Sequence, residues 1–175
     1  VDGIVSPIVE FVRNNQAWAA PVVFLLAFLE SLAFLSLLVP ATAILLGISA
    51  LVGAAGVGFW PMWLAGGLGG VIGYSISYQI GAYFGEDAFR IWPFRNYPEL
   101  ISRSKGFFEK WGAWAVFIGH FIGPVRAFIP VVAGAYRINR LYFEIANIVA
   151  AFLWITTVLA PGFLGAGWVS GALGK

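Results

Sequence analysis

Hydrophobic positions dominate the chain, and the few polar ones fall in clusters. Residues 3–15 place Ile4, Ile8, Phe11 and Val12 on one helical face with Glu10, Arg13 and Asn14 off it. That pattern predicts a short helix lying in a membrane interface over residues 1–16. Residues 17–58 form one apolar block, broken by Pro40 and carrying a single charge, Glu30. At about 1.5 Å per residue the block is long enough for two full spans, or for one re-entrant hairpin turning near Pro40. Residues 60–85 predict a spanning helix of roughly 39 Å, with Trp60 and Trp63 in an interfacial belt. Along it small residues recur every fourth position, Gly69, Gly73, Ser77, Gly81 and Gly85. Such a ladder suits close packing of a second helix in lipid.

Residues 86–110 hold nine of the eighteen charges and belong outside the hydrocarbon. Within this polar loop "NYPELISRSKGFFEKWG" predicts a second interfacial helix, capped at Asn96, with Leu100, Phe107, Phe108 and Trp111 on its apolar face. Residues 111–137 are apolar again around Arg126, and residues 141–160 predict a spanning helix that "APGFLGAG" should end. A short internal repeat is present. "NQAWAAPVVFLLAFLE" and "KWGAWAVFIGHFIGPVR" both pass through Ala-Trp-Ala, and Trp18 to Glu30 and Trp114 to Arg126 are each twelve residues. Duplicated units carrying interrupted helices are a transporter architecture.

Composition turns these patterns into a class. The 175 residues are 61% hydrophobic and 10% charged, with a mean hydropathy of +0.89. No charge occurs from Ser31 to Gly85 or from Ile145 to Gly174. The reading is an integral membrane protein. A net charge of +2 gives no nucleic-acid signature, and the absence of cysteine removes disulfides, thiol nucleophiles and thiolate metal sites. The sequence starts at Val1, as a processed or trimmed chain would, and shows no signal peptide. No cofactor or metal motif is present, and residues 86–110 with Arg137 and Arg140 make their side the more basic and hence the cytoplasmic one.

The candidate chemistry lies in "GHFIGPVRAFIPVVAG". A straight helix here would hold Pro124 and Pro130 inside it, at about 3 kcal/mol each. A second re-entrant hairpin explains the sequence better: about ten residues descend roughly 15 Å, Gly123-Pro124 turn the chain, and Pro130 and Gly134 shape the return. Arg126 then lies near the bilayer midplane, at a cost of at least about 2.5–3.5 kcal/mol unless it faces a polar cavity. It could equally pair with Glu30 and lock two hairpins together. A carboxylate alone at low dielectric tends to take up a proton, which a proton-coupled transporter needs. His120, across the turn, could donate to a phosphate or relay a proton, although a lone histidine is more often a satisfied core residue. Arg137 and Arg140 read first as snorkelling anchors, with Arg137 a secondary phosphate ligand.

The block "KGFFEKWGAWAVFIGHFIGPVRAFIPVVAG", together with "FLESLAFLSLLVPAT", "YQIGAYFG" and "FEIANIVAAFLW", resembles the DedA family of bacterial membrane proteins, which share the VTT domain with eukaryotic lipid scramblases. The resemblance covers nearly the whole chain. It implies an all-α membrane protein of the inner (cytoplasmic) membrane, with two re-entrant hairpins facing each other as inverted repeats, plus spanning and interfacial helices. It also implies movement of phospholipids or the polyprenyl-phosphate carrier (undecaprenyl phosphate) between leaflets, in some members driven by protons. Glu30 matches the family's membrane acid, Arg126 its hairpin arginine, and Pro130 and Gly134 the pattern that follows. Three positions depart from the family: Thr42 stands for a second acid, Tyr74 for an acid before the retained Tyr78, and His120 for a second arginine.

The resulting expectation is a flippase- or scramblase-like lipid translocase rather than an enzyme. Its expected partners are phosphate-bearing membrane lipids, with protons and further copies of itself as additional candidates. Arg126, His120, Thr42 and Arg137 would bind the phosphate beside Glu30. The rival readings are a non-transporting scaffold built on the glycine ladder and, remotely, an intramembrane serine hydrolase using Ser49 and His120.

Overall fold

The structure is a computed structural model that describes residues 10–11, 13–33, 35, 41–92, 94–112 and 114–173. Most of the predicted interfacial helix, residues 1–9 and 12, and the Pro40 turn lie outside these residues; residues 10–11 and 13–14 are helical and lead through a turn at Asn15 into the next helix. Every regular element among the described residues is helical: α1 (Gln16–Ser31), α2 (Ala41–Ala54), α3 (Phe59–Phe84), α4 (Pro98–Trp111), α5 (Trp114–Gly119), α6 (Ile129–Ala135) and α7 (Arg140–Leu173). Short 3₁₀ segments cover Gly85–Arg90, Phe94–Asn96 and Gly123–Ala127. Arg140–Gly165, with a mean hydropathy of 2.0, is the one described helix both long and apolar enough to cross a membrane by that criterion. The 26 residues of α3 have the length, but glycines dilute their hydropathy.

The segment around Arg126 is interrupted, as its prolines require. The helix α5 stops at Gly119, a 3₁₀ turn opens on Gly123-Pro124, and α6 follows with Pro130 in its first turn. Pro130 therefore starts a helix rather than turning the chain, because proline's missing N–H is redundant there. Gly134 is likewise no turn residue: it lies within α6.

The central helix α3 organises the rest by backbone contact. Its first half packs on α1 and its second half on α6, while α7 runs along another face. A Cβ on Gly73 would sit 2.7 Å from the Phe28 carbonyl oxygen, and one on Gly69 would meet the backbone of Phe24. Gly81 lies against the Val131 backbone, and Gly134 reciprocally against that of Tyr78. The predicted ladder is thus a packing surface up to Gly81. Gly85 is an exception: nothing approaches it, and its φ of 56° terminates α3, a conformation that glycine adopts without the Cβ penalty.

Two further boundaries differ from expectation. Tyr97 rather than Asn96 precedes α4, because Pro98 takes the first helical position. On that helix Phe108 is buried and Leu100 and Phe107 pack on the core, whereas Trp111 is exposed beneath Lys110. The last helix does not end at residue 160. It continues through Pro161 to Leu173, because Gly162 allows close contact with Ser49 and Ala50 of α2 and Phe163 meets Phe59 edge-on at 5.3 Å. In an apolar setting a continued helix also leaves fewer backbone groups without partners.

Gly134→Ala should therefore be severely destabilising, since the methyl group has only backbone to push against, while Gly47→Ala, which meets nothing within 4 Å, should be neutral or slightly stabilising. Thermal unfolding of both variants in detergent checks this. Equal melting temperatures would contradict the backbone contact.

Candidate functional site

The site begins where α1 ends. Ala33, beyond the last turn of α1, donates its N–H to Ser77 Oγ at 3.0 Å, and the Ser77 hydroxyl is shared between the carbonyls of Gly73 and Ser31. A small hydroxyl in the glycine ladder thus satisfies the freed end of α1 and fixes Glu30, one residue before that end. On the other side, Arg126 rides on the 3₁₀ turn, where its N–H reaches the Ile122 carbonyl and its own carbonyl accepts from the Tyr74 hydroxyl at 2.7 Å.

These two supports bring Glu30 and Arg126 together. Arg126 Nη1 lies 3.1 Å from Glu30 Oε1, with side-chain exposures of 10% and 8%. Thr42, at the start of α2, donates its hydroxyl to the same carboxylate oxygen. The Arg126 guanidinium carbon lies over the Trp154 ring of α7, 4.4 Å from the ring centre. The His120 ring lies against Tyr74 with centroids 4.0 Å apart. Among the described residues no well-aligned hydrogen bond reaches Glu30 Oε2, Arg126 Nε, Arg126 Nη2 or either nitrogen of His120. Nη1 faces Glu30, and the Tyr74 hydroxyl lies within reach of the guanidinium as well as of the Arg126 carbonyl.

Of the residues singled out in the sequence, Glu30, Arg126, Thr42 and His120 converge here. Arg137 does not. It is exposed at the turn after α6, in the left-handed region at φ 52°, where its N–H closes the helix on the Gly134 carbonyl. Ser49 donates to the Leu46 carbonyl and makes no hydrogen bond to His120 among the described residues. The sequence reading missed Trp154, and it recorded Tyr74 only as a departure.

It also missed a second polar cluster. Ser75 donates to Glu144 Oε2 at 2.7 Å, and buried Asn147 donates to the Val71 carbonyl at 3.1 Å with Ser75 and Glu144 close by. Arg140 approaches the other oxygen of Glu144 at 3.8 Å. The cluster clamps α7 to α3 as interhelical hydrogen bonds do in lipid. Glu144 and Asn147 at i, i+3 inside a predicted span were the available signal.

Removing one partner of a buried ion pair leaves an uncompensated charge, at about 3–5 kcal/mol, whereas replacing both by apolar groups is often neutral. Glu30→Gln and Arg126→Met should each lower the melting temperature in detergent more than the double variant does. A double variant showing the sum of both losses would mean that the pair is not energetically coupled.

Comparison with known proteins places this geometry. The VTT domain family model matches residues 39–164. Inner membrane protein YabI of Escherichia coli K12 is 32% identical over 155 residues, covering 88% of this chain and 61% of that protein. An uncharacterized membrane protein of Buchnera aphidicola from Acyrthosiphon pisum is 30% identical over 159 residues, 91% of this chain and 62% of that one. Protein DedA of Escherichia coli K12 is 26% identical over 161 residues, 88% of this chain and 72% of that one. The chain spans about three-fifths of the length of the first two, and no solved structure matches it significantly. An apolar chain of interrupted helices around a buried ion pair, matched over most of its length by the VTT domain, belongs to the DedA family of bacterial membrane proteins.

Proposed function

We propose that the chain is a multi-pass lipid translocase of the inner membrane that moves a phosphate-bearing lipid between leaflets. The observation that carries this reading is the Nε–Nη2 edge of Arg126, which makes no well-aligned hydrogen bond among the described residues. An arginine edge with two parallel N–H donors matches two oxygens of a phosphate, and such charge-assisted pairs are roughly twice as strong as neutral hydrogen bonds. Nothing in a purely structural Glu30–Arg126 lock requires that edge to stay open, and leaving buried donors unmet has a cost of about 1–3 kcal/mol or more.

Helix lengths support the topology. At about 1.5 Å per residue α1 and α2 reach roughly 24 and 21 Å, and α5 and α6 roughly 9 and 11 Å, all short of the about 30 Å hydrocarbon. They suit two re-entrant hairpins whose tips meet at the ion pair, with α3 and α7 spanning. A phosphate arriving at Arg126 would be repelled by ionised Glu30. Glu30, the carboxylate that faces Arg126, is the residue through which transport would be coupled to protons. The tails, glycerophospholipid or polyprenyl, would stay in the bilayer.

In phosphatidylcholine liposomes carrying fluorescent phosphatidylglycerol, the wild-type protein should exchange the labelled lipid between leaflets and Arg126→Ala should not. Arg126→Lys keeps the charge but loses the planar edge and should be slower by about tenfold or more. Folded wild-type protein that moves no anionic lipid, with or without a pH gradient, would sink the translocase reading. Full activity of Arg126→Lys would remove bidentate binding.

A further inference from the structure

Arginine inside an apolar protein has two problems to solve together. Its charge must be stabilised, and its donors must not be used up in doing so. Glu30 solves the first only in part, since it engages one terminal nitrogen. The remaining contact is of a different kind. The guanidinium carbon lies 4.4 Å from the centre of the Trp154 ring, and Trp154 is itself buried, with 5% exposure, on α7. A cation over an indole face is attracted by the ring quadrupole, most strongly where water is excluded. That contact is with the π face of the ring, so it does not occupy the donors with a competing oxygen. Beyond the Nη1 contact to Glu30, Nε and Nη2 make no well-aligned hydrogen bond among the described residues.

We infer that Trp154 is the positioning residue of the anion site: it holds Arg126 by its face, so that the Nε–Nη2 edge is presented to a headgroup accepting two parallel hydrogen bonds, and it retains the cation in place when Glu30 lets go. The inference rests on the translocase reading for its ligand class and extends it to selectivity. A phosphate diester or monoester offers two oxygens in one plane to that edge. A zwitterionic headgroup brings its own ammonium toward the cation and is disfavoured. Trp154 belongs to α7 while Arg126 belongs to the 3₁₀ turn before α6. The stack therefore also fixes the turn against a helix anchored independently by the Glu144–Asn147 clamp. Tyr74, bound to the Arg126 carbonyl, locates the backbone, and Trp154 orients the head of the side chain.

The test compares wild type, Trp154→Phe and Trp154→Leu by two measurements. One is leaflet exchange of fluorescent phosphatidylglycerol and fluorescent phosphatidylcholine in liposomes, each over a range of lipid loads. The other is binding of dihexanoyl phosphatidylglycerol to the full chain in detergent. Trp154→Leu should raise the half-saturating load of phosphatidylglycerol about tenfold, more than it lowers the maximal rate, and bring the preference over phosphatidylcholine close to one. Trp154→Phe, which keeps a weaker aromatic face, should recover much of both. A merely structural role would slow both lipids alike and leave their ratio unchanged; that result overturns the inference, as does a wild-type ratio in Trp154→Leu. If wild type binds dihexanoyl phosphatidylglycerol in a Trp154-dependent way but exchanges no lipid, the translocase reading falls and the positioning role stands. Exchange and binding both indifferent to Trp154→Leu give the reverse.

Discussion

The buried Glu30–Arg126 pair is the interaction on which the remaining structure depends. Water is the ordinary partner of both groups, and neither can be brought into an apolar interior without a substitute. The substitutes come from four separate parts of the chain: the α1 end that carries Glu30, Thr42 of α2, Tyr74 of α3 and Trp154 of α7. Assembling the pair therefore requires most of the fold to be in place. The converse also holds, since the ion pair links a residue near the end of α1 to one 96 positions later, and a misplaced element would strand a charge.

Close approach of helix backbones makes this assembly geometrically possible. A side chain larger than glycine at positions 69, 73 or 81 of α3 would hold α1 and α6 away from it, and the reach from Glu30 to Arg126 would be lost. In water the gain from such packing would be dominated by apolar burial. In lipid, where tails are as apolar as leucine, dispersion contacts and interhelical hydrogen bonds must supply it. Ser77 contributes both, being small enough for the ladder and polar enough to accept from Ala33. The same helix uses its other face for Ser75 and the clamp to α7. It is thus glycine-rich and polar-spotted for one reason: three other helices pack on it among the described residues.

Much of this was legible in the residues. Lone charges in apolar sequence mark a site because their cost demands a purpose, so Glu30 and Arg126 stood out. Gly123-Pro124 and Pro130 announced an interruption because proline cannot continue the helix ladder. Trp154 and Tyr74 did not stand out, since an aromatic residue in an apolar helix has no spacing that separates a lipid-facing ring from one stacked on a cation. Glu144 was passed over because it lies within two turns of a predicted helix end, where a carboxylate reads as interfacial. The continuation of α7 past Pro161 was hidden for another reason. It depends on Gly162 fitting against Ser49, more than a hundred positions away, and local propensity carries no record of that contact.

The departures from the family pattern make sense together once the contacts are known. An acid at position 42 could not donate to Glu30 unless protonated, whereas the Thr42 hydroxyl does so in any charge state. An acid at position 74 could not donate to the Arg126 carbonyl in its ionised form; the Tyr74 hydroxyl does, at 2.7 Å. A second arginine at position 120 would add a cation beside Arg126 with no further carboxylate to balance it, while the His120 ring packs against Tyr74 at a tilt of 36°. Against the pattern that the resemblance implies, each of these residues is a neutral donor or a ring where a charge would stand. The site itself holds one carboxylate facing one guanidinium. In a site reduced to that balance, each side chain is the counter-charge of the other, and an anion bound at the Arg126 edge, as proposed above, would compete with Glu30 for the same guanidinium.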